Sequence, residues 1–274
     1  MKNALKSIFR PFIKNNISWS LLKPIAALGS FMKYERTVIE SKGKFDYLFT
    51  DLKVQNGPFK GLTYPSLDFE ADLLYPKLIG SYEQEIHDCI DELCAQNYAE
   101  IINIGCAEGY YAVGMAMRMP ETTVYAYDTD EKEQKLCREM AALNKVNDRV
   151  IIGGEYTATD LGNRSFEGKT LIVCDCEGAE KYLFTPQNIG NLKHCDFLIE
   201  MHDCFDMTIS TYLTNLLQDT HRLEFVKSID AIEKAKTYDY VVAKDLSLEE
   251  KREIYSENRI TIMEWMIAWA KEPE

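Results

Sequence analysis

Asp175, Glu200 and His202 are the residues of this 274-residue chain best suited to acid–base or metal chemistry. Glu200 and His202 are two apart, so on an extended strand their side chains share one side. Unperturbed histidine titrates near neutrality, which suits His202 to take a proton, with Glu200 or Asp175 to orient it. A histidine in such a place can equally be a hydrogen-bonded structural residue. The same three groups offer two carboxylates and an imidazole. That set suits Mn, Zn or Fe better than calcium. Glu177 and Gly178 follow Asp175, and Asp203 follows His202.

A second constellation points to a nucleoside. The apolar run Ile101, Ile102 and Ile104 stops at Gly105, and Gly109 opens a segment of helical periodicity. Strand, tight turn and helix N-terminus together present backbone N–H groups and a positive dipole end. A second apolar run, Val124 to Tyr127, ends in Asp128. An acid at that strand tip is placed to accept hydrogen bonds from ribose hydroxyls. A dinucleotide site asks for three glycines in the pattern G-x-G-x-x-G. Here Ala107 takes the middle position, the third glycine is absent, and Glu108 lies in the loop. A carboxylate there repels a pyrophosphate and tolerates a sulfonium, which favours S-adenosylmethionine over NAD. A nucleotide-dependent oxidoreductase is the competing reading, disfavoured on the same residues. Glu155, after the third strand, reads as a partner for the adenine amino group or as an exposed loop acid.

These residues need a frame that brings strand tips together. The pattern predicts strands at 100–104, 122–127, 148–152, 170–174, 195–200, 222–227 and 237–243. It predicts helices at 81–97, 109–119, 130–145, 178–184 and 208–218. Alternation of this kind implies an α/β fold: a mostly parallel seven-stranded sheet with helices on both faces. Gly105, Asp128, Asp175 and Glu200 then line one edge, beyond the carboxyl ends of the strands. A capping box, Ser247 to Glu250, opens a C-terminal tail (246–274) whose ITIMEWMIAWA run reads as an aromatic-rich helix packing on the core. Residues 1–75 read as an N-terminal extension before a catalytic domain over 76–245, with the Gly-, Pro- and aromatic-rich stretch 43–69 as loops.

Five stretches carry a family resemblance: PKLIGSYEQEI (76–86), IINIGCAEGYYAVGMA (101–116), VYAYDTD (124–130), LIVCDCEGAEKYLF (171–184) and FLIEMHD (197–203). The chain resembles the FkbM-like branch of class I S-adenosylmethionine-dependent methyltransferases, over roughly residues 75 to 205. The D-x-E-G-x-E run from Asp175 to Glu180 is the most family-specific piece. The resemblance implies a Rossmann-like methyltransferase fold and O-methylation of a hydroxyl on a sugar, glycan or other small molecule. It implies a cofactor site over Asn103, Gly105, Cys106, Ala107, Glu108, Gly109, Tyr110 and Tyr111, completed by Asp128, Glu155 and Asp175. Asn103 stands where many methyltransferases carry an acid. A non-catalytic cofactor-binding or assembly module is the third reading, and the intact Asp175, Glu177, Glu200 and His202 count against it.

Charge limits the partners. Net charge is −13, which argues against a general nucleic-acid-binding surface. Residues 1–36 hold seven Lys/Arg and one acid, for +6, leaving −19 on the rest. Lys2, Lys6, Arg10 and Lys14 alternate with Ile8, Phe9, Phe12, Ile13 and Ile17. This reads as weak contact with an anionic membrane surface, or as a segment packing on the domain or on a second subunit of a homo-oligomer. Eight cysteines without a C-x-x-C pair read as reduced, mostly buried thiols of a cytoplasmic protein. No apolar run approaches the ~20 residues that span a membrane.

Overall fold

The structure, a computed structural model, describes residues 13–41, 43–67, 73–166 and 168–272. Two compact units divide at Phe45 and Asp46. The first holds a long helix, Asn16–Ser41. The Asn15 side chain caps it, accepting from the N–H groups of Ile17 and Ser18 at 3.1 and 3.0 Å. Ile17, Leu21, Ile25, Leu28 and Met32 recur on one face of this helix at steps of four, four, three and four, and all are exposed. Lys2, Lys6, Ile8, Phe9, Arg10 and Phe12, in the basic start, lie outside the described residues. Among the described residues, no helix is long and apolar enough to cross a membrane.

The second unit is built on seven strands: β1 (Glu100–Ile104), β2 (Thr123–Tyr127), β3 (Val150–Gly153), β4 (Thr170–Cys174), β5 (Cys195–Met201), β6 (His221–Lys227) and β7 (Glu264–Ala270). Their order is β3-β2-β1-β4-β5-β7-β6. Pairings among the first five are parallel, and β7 runs antiparallel to both β5 and β6. This is the mostly parallel α/β sheet that the alternation predicts. Every residue of β1, β4 and β5 is buried. Ile102, Ile172, Phe197 and Ile199 pack under the helix Ile209–Leu217 through Leu213 and Leu217. On the opposite face, helix Tyr110–Arg118 brings the Tyr111 ring 5.8 Å from Trp265 of β7. Sheet faces covered on both sides bury apolar surface worth roughly 25 cal/mol per Å².

Three expected elements differ. The helix expected over 81–97 is shorter, His87–Cys94, preceded by the 3-10 turn Gln84–Ile86. The run from Ile260 to Ala270 is not a helix: its core forms β7, inserted between β5 and β6. Both faces of that strand are buried, so its sequence shows a continuous apolar run rather than alternation. Residues 237–243 do not make a strand. Tyr240 hydrogen-bonds the Gly80 carbonyl at 3.0 Å, and Val241–Ala243 form one 3-10 turn. The Ser247–Glu250 capping box is present and opens helix Leu248–Ile254.

The chain runs outward from β1 through β2 to β3, then returns to place β4 on β1's other side. At such a switch point the loops diverge and leave a crevice at the strand ends. Gly105 leaves β1 there with φ +75°, and an added Cβ would lie 1.7 Å from the carbonyl oxygen of Asp175. The turn after β1 thus rests on the turn after β4. The demand for glycine at 105 comes from the protein's own backbone rather than from ligand approach.

Candidate active site

The crevice holds a cavity of about 370 Å³, reached by the ends of β1, β2, β3 and β4. Its turn is fastened to β2: the N–H groups of Gly105 and Cys106 both donate to the Tyr127 carbonyl, at 2.9 and 3.0 Å. Asp128 braces the same turn. Its carboxylate accepts from the Ala107 N–H and the Asp130 N–H, each at 2.9 Å. A carboxylate offers about four acceptor sites, so two remain for a diol. The rings of Tyr127 and Tyr156 stack at 4.1 Å and form an aromatic wall.

The acids of this wall are Asp128, Glu155, Asp175 and Glu177, and among the described residues no basic side chain lines the cavity. That pattern repels a pyrophosphate and accepts a cation. The discrimination does not rest on Glu108. Its carboxylate is turned inward, 1% exposed, 2.6 Å from the Lys77 ammonium and 3.1 Å from the Tyr64 hydroxyl.

Of the expected cofactor residues, Gly105, Ala107, Asp128, Glu155 and Asp175 line the cavity. The side chains of the others do not. Asn103 is buried within β1, with its amide 3.5 Å from the Val173 carbonyl. Cys106 is buried against Cys137. The Tyr110 ring packs edge-on against Phe59 and Tyr82, and the Tyr111 hydroxyl donates to Glu83. Gly109, at φ +99°, caps the helix that follows. Residues 110 and 111 begin a helix, so a large apolar ring there turns to the core rather than to the loop. Asp128→Ala should lower cofactor affinity about tenfold or more, since a hydrogen bond to a charged group is worth ~1.5–3 kcal/mol. Asp128→Asn, which keeps the brace to Ala107, should lose less. Calorimetry reads both, and wild-type affinity for the alanine variant removes Asp128 from the site.

A second chamber, of about 220 Å³, adjoins the first. Asp175 and Glu177 line both. Glu200 and His202 line the second, with Tyr82, Phe205 and Arg259 around them. All three expected catalytic residues therefore meet in one place.

The orienting partner of His202 differs from expectation. Its Nδ1 lies 2.5 Å from Oε1 of Glu180, which is completely buried at the start of the short helix Glu180–Leu183. A carboxylate accepts, so Nδ1 carries the proton. Nε2 then faces Asp175 and Glu177 at 3.5 Å each and Glu200 at 3.8 Å. Asp175 and Glu200 stand in front of the ring rather than behind it.

Burial lowers the His202 pKa. The hydrogen bond to Glu180 and the charges of Asp175 and Glu200 outweigh it, holding the imidazole up to about 9. Its titration is displaced from the neutral range that histidine has by default. Burial is also the main cause that lifts Asp175 to about 7, helped by Glu83, and Glu200 to about 8, helped by Asp175. Glu83 is lifted to about 7, again chiefly by burial.

Three more site residues escape sequence reasoning. Arg259 donates to Glu200, to Glu83 and, at 2.9 Å, to Glu257. Glu83 precedes the 3-10 turn Gln84–Ile86, in a stretch that the periodicity assigns to a helix. Arg259 comes 59 residues after Glu200 and 176 after Glu83. No local spacing links them, and only the insertion of β7 beside β5 brings Arg259 to the site. Glu180 carried one legible signal, its place in the D-x-E-G-x-E run.

No protein-family profile matches the chain, and no curated protein does. Among solved structures it is similar to a putative O-methyltransferase from Klebsiella pneumoniae, at 12% identity over 70% of this chain and 81% of that one, with a TM-score of 0.46. It is also similar to an O-methyltransferase from Bacillus cereus in complex with SAH (13% identity, 66% and 77% of the two chains, TM-score 0.44). A third is TomG from Streptomyces achromogenes, an O-methyltransferase involved in tomaymycin synthesis (11% identity, 72% and 83%, TM-score 0.45). At such identities and TM-scores, no residue's role passes from these proteins to this chain.

Proposed function

We propose that this chain is an S-adenosylmethionine-dependent methyltransferase of the FkbM-like branch, acting on a hydroxyl of a sugar, glycan or other small molecule. One observation carries the reading. A cavity walled by four acids and, among the described residues, by no basic side chain opens beside a chamber that contains His202, and the two share Asp175 and Glu177. The residues fit the cofactor. Asp128 has acceptor sites left for a ribose diol, Glu155 can accept from an adenine amino group, and the acids favour a sulfonium cation. S-adenosylmethionine supplies an activated methyl group, so the protein's work is mainly alignment and proton removal. Asp175, Glu177, Glu200 and His202 gather on the acceptor side, where the hydroxyl is activated and its proton removed, and Glu180 positions the His202 ring. Arg259 fixes one oxygen of Glu200, so that the other keeps its direction toward His202. The direct test measures S-adenosylhomocysteine release with sugar, glycan and polyketide alcohols as acceptors. Stoichiometric methyl ether formation supports the reading. Tight cofactor binding with no turnover on any hydroxyl acceptor would favour a non-catalytic module.

The N-terminus is assigned a peripheral role in the cytoplasm, in weak contact with an anionic membrane surface. The excess of +6 over residues 1–36 and the exposed stripe from Ile17 to Met32 support this. Liposome sedimentation is expected to weaken on raising salt and to be lost without residues 1–28. Equal sedimentation of the two forms would leave the stripe to a second subunit.

A further inference from the structure

We propose that Asp175, Glu200 and His202 bind one divalent transition-metal ion, of the manganese or zinc class, at the floor of the second chamber. One donor atom from each lies within 4.8 Å of the other two. Ligands held ~2.0–2.2 Å from a common ion sit up to roughly 4.4 Å apart, so small side-chain rotations close the set. The donors are directed inward by groups behind them. Glu180 holds Nδ1 of His202 at 2.5 Å and leaves Nε2 as the nitrogen that an ion can take by displacing its proton. A carboxylate behind a histidine in this way is the usual support of a metal-ligating imidazole. Arg259 occupies Oε1 of Glu200 and leaves Oε2 facing Nε2.

Two further observations point to a ligand. Asp175 Oδ1 is a buried atom with no hydrogen-bond partner. His202, its side chain only 4% exposed, makes no hydrogen bond through Nε2, although three carboxylates stand 3.5–3.8 Å away. Three carboxylate groups converge on that one nitrogen, and Arg259 neutralises only the far oxygen of Glu200, so an ion that displaces the Nε2 proton meets acid oxygens on several sides. Two carboxylates and an imidazole exclude a preference for calcium and suit manganese, iron or zinc.

What the ion would do there rests on the methyltransferase reading; that it binds does not. It would polarise an acceptor hydroxyl and lower its pKa. The proton leaves toward Glu177 and solvent as the oxygen–carbon bond forms and the carbon–sulfur bond breaks, with the thioether as leaving group. Glu177, 76% exposed in its side chain, has a route to water for that proton.

The test uses the full chain, stripped with chelator and titrated with Mn²⁺ by electron paramagnetic resonance and with Zn²⁺ by calorimetry. One ion per chain is expected. His202→Ala should weaken binding at least tenfold. Glu180→Gln, which touches no ion, should weaken it by ~10–100-fold. Neither residue lines the cofactor cavity, so circular dichroism and S-adenosylmethionine calorimetry should show both variants folded and cofactor-competent. Absence of stoichiometric Mn²⁺ and Zn²⁺ binding in the folded wild type overturns the site, as does binding that survives His202→Ala combined with Asp175→Asn. A protein that binds S-adenosylmethionine but no ion refutes the metal and keeps the transferase. One that binds the ion but not S-adenosylmethionine does the reverse.

Discussion

On the proposed methyltransferase reading, His202→Ala is expected to lower turnover by ~10²–10⁴-fold, the usual scale for losing a group that activates the acceptor hydroxyl, while S-adenosylmethionine binds as in the wild type. The split follows from where the residue sits. His202 lines the second chamber and does not reach the first cavity. Glu180→Gln should lower kcat by less and leave the acceptor KM unchanged, because it loosens the ring without removing it. Glu200→Gln and Asp175→Asn should also slow turnover, and Asp175→Asn alone should alter cofactor binding, since Asp175 lines both spaces. Stopped-time assays of S-adenosylhomocysteine release on the true acceptor read these values. Near-normal turnover for His202→Ala would leave alignment alone to carry the rate.

Lys77→Ala should destabilise the fold by about 3–5 kcal/mol, the range for removing one partner of a buried ion pair. Lys77 and Glu108 are 3% and 1% exposed, with 2.6 Å between Nζ and Oε1. The ammonium also lies over the Tyr82 ring at 5.0 Å. Alanine leaves the Glu108 carboxylate in the core with the Tyr64 hydroxyl at 3.1 Å. Against a total stability of roughly 5–15 kcal/mol, this is a large fraction. Adding Glu108→Gln to Lys77→Ala should recover part of the loss. Urea denaturation measures both, and a change below about 1 kcal/mol for Lys77→Ala would mean that the pair is not closed in solution.

The parallel half of the sheet was legible because each strand ends in a chemically distinct tip. Gly105, Asp128 and Asp175 all come to the carboxyl edge, as alternation requires. In the antiparallel half, β6 was legible as the strand expected at 222–227, but β7 was not. β7 is buried on both faces, so Trp265 to Trp269 shows no alternation, and its Met, Ala and Trp residues suit a helix as well. The glycine turn was read at the right place but with the wrong side chains. Spacing puts Glu108 in the loop, yet it cannot reveal that Lys77, from the helix Leu74–Ile79, reaches in to neutralise it. The meeting of Asp175, Glu200 and His202 was legible because all three come at or just beyond the ends of neighbouring strands. Their support was only partly so: Glu180 stands in the D-x-E-G-x-E run, but its contact with His202 and that of Arg259 with Glu200 arise only through tertiary packing.

The central claim is that the acid-walled cavity takes a cationic sulfonium nucleoside and rejects a pyrophosphate. Parallel calorimetric titrations of the wild-type protein with S-adenosylmethionine, S-adenosylhomocysteine and NADH test it most directly. Saturable binding of the first two at one per chain, with no heat from NADH at the same concentrations, is the expected result. Saturable NADH binding with none for S-adenosylmethionine would contradict it.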